Sequence, residues 1–240
     1  MLMEERKEYK PSVVAIDTNV VSMLSGVSSN YVPEYRDRYE YRENCRDMIR
    51  MVEAGLLKLV ILPKTFSEID FIHYPEELEF VRKYCYVYQP ENEKSFAIKV
   101  SKLARRLMKE GIMDSDINGK PDADAITISE AINAGVSFIT LNIRHFIDYE
   151  DERKVKGNER RYDLESFVKR NGLTITNSNN LEKTPTVCTP LDFLTQFKSG
   201  LFVVSDEIYN AIDEADVAMY DDKAITLWWG FYEIIFMFKF

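Results

Sequence analysis

Positive charge is what this chain most clearly lacks. Its 240 residues carry 31 lysines and arginines against 40 aspartates and glutamates, a net charge of -9. Broad neutralisation of a phosphate backbone by a basic face is therefore excluded, and any nucleic-acid contact must rest on local basic patches or on bound cations. Cysteine is scarce as well. Cys45, Cys85 and Cys188 are the only three, and no two have the spacing of a metal knuckle or a redox pair. An odd count far apart in the chain excludes a disulfide framework and fits reduced thiols in a cytoplasmic protein. The two histidines, His73 and His145, do not fall at zinc-ligand spacing. No apolar run is long enough to span a bilayer, so no membrane partner is expected. The opening MLMEERKEYKPS has no apolar core of signal-peptide type. There is no internal repeat and no long low-complexity tract.

What is present is an ordinary globular composition, 45% apolar and 30% charged. Short continuous apolar runs recur along the chain. They are Val13–Ile16, Leu57–Leu62 stopped by Pro63, Tyr84–Tyr88, Val136–Leu141 introduced by Gly135, and Thr186–Thr189 before Pro190. Continuous runs of this length suit strands covered on both faces, as in a parallel sheet. Helical stripes lie between them: Met48, Met51 and Val52 ending at Gly55; Phe96, Val100, Leu103 and Leu107; and Ala125, Ile128, Ala131 and Ile132 ending near Gly135. Alternating strands and helices predict an α/β fold with a mostly parallel sheet, whose ligands gather at the carboxyl ends of the strands.

Four carboxylates and one amide occupy positions where such ligands would sit. Asp17 directly follows the first apolar run, Glu68 opens the segment after the second, Asp122 and Asp124 begin the helix before the fourth, and Asn142 ends that fourth run. Each has a purely structural explanation. Asp17 suits a helix N-cap. Thr65-x-x-Glu68 reads as a capping box. Asp122 and Asp124 suit the first turn of a helix dipole, and Asn142 suits a turn. Together, however, strand-end carboxylates converge on one edge of a parallel sheet, where they repel one another unless cations neutralise them. Oxygen-only donors of this kind suit Mg²⁺ or Mn²⁺, and such ions activate a water for attack on a phosphodiester. Asn19 and Thr140, beside Asp17 and Asn142, are candidate substrate contacts. A phosphatase of the haloacid-dehalogenase type also starts from an apolar strand and an Asp, but it needs a second Asp where this chain has Asn19.

The segments VVAIDTNVV, Thr65-x-x-Glu68, DADAITISEAINAG, FITLNIRHF and the late Thr189-Pro190-x-x-Phe193-Leu194 resemble, in that order, the PIN domain. The closest likeness is to the ribonuclease toxins of type II toxin–antitoxin pairs. The resemblance runs from about Val13 to Leu194. It implies a three-layer α/β/α sandwich around a five-stranded parallel sheet and a metal-dependent endoribonuclease, a hydrolase cleaving single-stranded RNA with Mg²⁺ or Mn²⁺. Catalytic positions fall on Asp17, Glu68, Asp124 and Asn142, with Asp17, Glu68, Asp124 and Asp122 as metal ligands. A homodimer and an antitoxin-like protein partner come with it. The chain departs from the pattern at Asn142, which replaces a fourth acid, and in being longer than the compact toxins. The alternative is a non-catalytic PIN-like module that binds RNA or a protein.

The reading divides the chain into an N-terminal extension over 1–12, a PIN-like domain over 13–197 and a C-terminal extension over 198–240. Insertions are expected at 148–163, a charge run containing Arg153, Lys154, Lys156, Arg160 and Arg161, and at 172–185, a polar loop rich in Asn, Ser and Thr. Tyr31, Tyr35 and Tyr39 fall at helical spacing near Arg38 and Arg42, which suits a packing stripe or a base-stacking surface. Ile208, Ile212, Ala215 and Met219 mark a further helix. The aromatic run Leu227–Phe240 is expected to be buried against the core or another chain.

Overall fold

The computed structural model describes residues 11–27, 38–72, 74–142, 164–173, 175–176, 182–183 and 187–197. In chain order these form β1 (Ser12–Ile16), α1 (Thr18–Ser25), α2 (Arg38–Glu53), β2 (Leu57–Ile61), α3 (Pro63–Ile72), α4 (Pro75–Tyr84) and β3 (Cys85–Val87). There follow α5 (Glu93–Lys109), α6 (Ala123–Ala134), β4 (Phe138–Ile139), α7 (164–170), β5 (Ile175–Thr176), β6 (Glu182–Lys183), β7 (Val187–Cys188) and α8 (Pro190–Phe197).

Five strands pair in the order β3-β2-β1-β4-β7, every pair parallel. All five apolar runs singled out in the sequence are these strands. Alternate side chains of each strand enter opposite layers, as the two-residue period of a strand requires. Val13 and Ala15 of β1, with Val60 of β2, join Val100, Leu107, Ile128 and Phe167 on the face covered by α5, α6 and α7. Val14 and Ile16, with Leu57, Leu59 and Ile61, join Val20, Met48, Ile69, Phe80 and Phe193 on the face covered by α1, α2, α3, α4 and α8. The result is a three-layer α/β/α sandwich. Because both faces are buried, the central strands read as near-continuous apolar runs, interrupted in β2 by the half-buried Lys58.

The predicted stripes lie on α2, α5 and α6. In α5 all four stripe residues are buried. Helix α6 ends where Gly135 takes a left-handed conformation (φ 69°), from which its amide reaches the carbonyls of Ala131 and Ile132. Val136 N then bonds Ala131 O, which turns the chain into β4 without strain on a side chain.

Two local expectations are corrected. Thr65 lies inside α3 rather than at its cap, so Thr65-x-x-Glu68 is not a capping box; its Oγ1 is buried without a hydrogen-bond partner. The capping box is at Thr189 instead. There Asp192 N donates to Thr189 Oγ1 (3.0 Å), Thr189 N reaches Asp192 Oδ2 (3.4 Å), and Pro190 fills the first helical position. The polar stretch 172–185, expected to be a loop, contains the antiparallel pair β5–β6, with Ile175 opposite Lys183 and Thr176 opposite Glu182. Two β-branched residues suffice for this short pairing, and the Asn- and Ser-rich composition around them hid it. Helices α1, α4 and α7 carry too few periodic positions to stand out in the sequence. The charge run, the tyrosine pair Tyr31 and Tyr35, both histidines and everything after Phe197 lie outside the described residues. None of the three cysteines is in a disulfide, and burial pushes the Cys45 thiol up to about 12.

Phe193 of α8, a helix packed against α2 and β7, is fully buried, whereas Ile117 in the turn before α6 is fully exposed. Phe193→Ala should lower the free energy of unfolding by about 3–5 kcal/mol, through lost transfer energy and a residual cavity. Ile117→Ser should stay within about 0.5 kcal/mol of the parent. Urea unfolding of both variants measures the contrast.

Candidate active site

In this strand order the chain steps outward from β1 through β2 to β3, then returns to place β4 on the other side of β1. The switch point therefore lies between the carboxyl ends of β1 and β4, where adjacent connections leave in opposite directions and open a crevice. Asp17 follows β1 at this point, and Thr140, Leu141 and Asn142 follow β4. Helix α6 runs back to the start of β4, so its first turn, with Asp122 and Asp124, stands at the same edge. Helix α3 leaves the carboxyl end of β2 and carries Glu68 there in its second turn.

Asp17 is the N-cap of α1, but capping occupies one oxygen only. Thr18 N donates to Oδ1 (2.8 Å). Oδ2 receives the hydroxyl of Thr140 (2.6 Å) and the amide Nδ2 of Asn19 (2.8 Å). Asn19 in turn accepts Leu141 N at its Oδ1 (3.0 Å), so this side chain spans the β1–β4 junction. Asn142 N donates to Thr140 Oγ1 (2.9 Å), and Asn142 Nδ2 donates to Asp124 Oδ2 (3.1 Å). On the other side, Thr18 Oγ1 donates to Glu68 Oε2 (2.7 Å), while the Lys64 ammonium lies 3.0 Å from Glu68 Oε1. Asp17, Glu68, Asp124 and Asn142 thus belong to one connected network.

Electrostatics agrees with this proximity. Burial raises the Asp17 carboxyl from its ordinary 3.8 to about 7. The Thr140 hydrogen bond and the Thr18 amide act against the rise, and the charges of Asp124 and Glu68 add to it. A carboxyl raised mainly by burial, and further by two neighbouring carboxylates, stands in a cluster of like charge.

Comparison of the chain with protein-family models, with curated proteins and with solved structures gives no match.

The remaining sequence candidates have defined places. Asp122 is the N-cap of α6 and accepts Ala125 N at Oδ1 (2.7 Å), so the structural explanation accounts for that oxygen. Thr140 is fully buried and donates its hydroxyl to Asp17, and Asn19 uses both ends of its amide within the junction. Both therefore act as positioning residues for Asp17. Among the described residues, no three carboxylate, histidine or cysteine groups stand in mutual ligand geometry. Hydroxyls, amides and one ammonium engage the carboxylate oxygens instead. The donor set still suits a hard divalent cation: every available ligand is oxygen, and the carboxylates repel one another where they stand.

Sequence reasoning missed two contributors. Lys64 lies in the segment around Glu68 but carries no motif signal. Glu130 is fully buried in mid-α6 and accepts Lys64 N at Oε2 (2.9 Å), which satisfies one of the unpaired amides in the first turn of α3. Its only mark in the sequence is a lone charge in the otherwise uncharged stretch ITISEAINAG.

Because the folded pKa of Asp17 lies above its ordinary value, the folded protein keeps a proton between pH 3.8 and about 7 that the unfolded chain has released. The stability associated with that proton is complete below the lower value and is lost as pH rises through the upper one. In EDTA, unfolding free energy should therefore fall from pH 4 to pH 8 by at most about 4 kcal/mol on this account. Asp17→Asn, which cannot ionise, should remove that decline, as read by chemical denaturation across the pH series.

Proposed function

We propose that this chain is a metal-dependent ribonuclease of the PIN type, an endonuclease acting on single-stranded RNA. The observation that carries the reading is the joining of Asp17, Glu68, Asp124 and Asn142 in one hydrogen-bonded network at the switch point of a five-stranded parallel sheet. Asp17 and Asp124 would hold a Mg²⁺ or Mn²⁺ ion, with Glu68 as a further ligand or as the group that orients the attacking water. The ion, when bound, supplies phosphate charge neutralisation and an activated nucleophile.

The other residues act through these. Thr140 and Asn19 fix the rotamer of Asp17, and Thr18 fixes Glu68. Asn142 presents its amide nitrogen to Asp124 and so orients that carboxylate. With a net charge of -9, attraction of an RNA phosphate must come largely from bound cations at this edge. A homodimer and an antitoxin-like partner belong to the same proposal, and no described helix is long and apolar enough to cross a membrane. A second reading, a PIN-like module without catalysis, draws support from the amide at Asn142 in place of a fourth acid and from the ammonium already resting on Glu68.

Cleavage of a mixed single-stranded RNA panel should vanish in EDTA and return with Mn²⁺ or Mg²⁺. Asp17→Asn and Asp124→Asn should each reduce it on the order of a hundredfold or more. Activity surviving both substitutions would place the chemistry elsewhere. Thermal stabilisation by Mn²⁺ without cleavage of any RNA would favour the non-catalytic module.

A further inference from the structure

Glu68 has both oxygens occupied. Thr18 Oγ1 donates to Oε2 at 2.7 Å, and the Lys64 ammonium is 3.0 Å from Oε1. Other ion pairs among the described residues, Glu43–Arg46, Asp47–Arg50, Arg106–Glu110 and Glu110–Arg170, involve α2, α5 and α7. The Lys64 and Glu68 side chains are 25% and 28% exposed, so the pair sits at the mouth of the cluster rather than on open surface. The stem of Lys64 is held in place. Its backbone amide is bonded to the buried carboxylate of Glu130, on the same helix that bears Asp124 at its start. One residue thus links the buried side of α6 to Glu68.

We infer that Lys64 is a counter-cation of Glu68 in the metal-free site, and that its ammonium competes with a divalent ion for that carboxylate. This rests on the metal reading of the same site. An ammonium offers one positive charge and three donors, which suffices to quiet one carboxylate without bridging two. A divalent ion drawing on Glu68 Oε1 needs the lone pairs that Lys64 now engages, so loading displaces the ammonium from that oxygen. Lys64 therefore weakens the apparent affinity for the ion while stabilising the fold without it. The trade is modest, because a partly exposed pair of this kind contributes little in water.

The test compares the full chain with Lys64→Met and Lys64→Arg, by calorimetric titration with Mn²⁺ and by thermal unfolding in EDTA. Lys64→Met should bind Mn²⁺ about two- to fivefold more tightly than the parent and should unfold at a lower temperature in EDTA. Lys64→Arg should return both quantities toward the parent. Circular dichroism establishes that each variant is folded. Mn²⁺ binding to Lys64→Met alone, with none to the parent, would support the competition in its strongest form. Equal or weaker binding by Lys64→Met, with the parent binding, would overturn the role of Lys64 and leave the metal reading standing. No binding by the parent or either variant would overturn the metal reading and this inference with it.

Discussion

Asp17 ties together the three elements whose meeting defines the site. It sits where β1 hands the chain to α1, and its two oxygens divide their work. One caps the helix through Thr18 N, and the other receives Thr140 from the end of β4 and Asn19 from the first turn of α1. The β1–β4 boundary is where the sheet reverses its order of assembly, so no covalent connection crosses it directly. Side-chain hydrogen bonds to one carboxylate, together with the parallel pairing of Ala15 with Phe138 and Ile16 with Ile139, close that boundary.

This arrangement has an electrostatic cost. Burial raises the Asp17 carboxyl, and the neighbouring charges of Asp124 and Glu68 raise it further. Among the described residues the hydroxyls of Thr140 and Thr18, the amides of Asn19 and Asn142 and the Lys64 ammonium stand against these carboxylates. Hydroxyls and amides orient carboxylates but carry no net charge, whereas the Lys64 ammonium offsets part of the charge on Glu68. A fold could avoid the conflict by placing apolar residues at these positions. These donors hold the carboxylates of one network together, which four separate helix-terminus explanations leave unaddressed.

Those local explanations are nevertheless partly correct. Asp17 and Asp122 are both N-caps, and Asp124 lies in a first turn. In an open parallel sheet the carboxyl ends of strands and the N-termini of the helices returning to them share an edge. A residue can therefore cap a helix and face the crevice at once. For Asp122 the cap accounts for the observed Oδ1 contact. For Asp17 it accounts for one oxygen and leaves the other for Thr140 and Asn19.

Much of the architecture was legible without coordinates. The five short apolar runs suited strands buried on both faces, Gly135 marked the end of α6, and the alternation of strands and helices pointed to a mostly parallel sheet. That Asp17, Glu68, Asp124 and Asn142 would meet at one edge was legible for the same reason, since strand ends and returning helix starts in such a sheet lie together. The β5–β6 pair was not legible, because pairing between two-residue strands depends on what the chain brings opposite them rather than on their own composition. Thr65 misled for a similar reason: a capping box is a local pattern, but α3 begins directly after β2 and leaves Thr65 inside it. Tertiary structure alone decided the partners. Thr140 reaches Asp17 across 123 positions, Thr18 reaches Glu68 across 50, and Glu130 reaches Lys64 N across 66. Periodicity and composition register which residues are apolar and where elements end. Which oxygen meets which donor is set by strand order and helix packing, and neither leaves a mark in any short window of sequence.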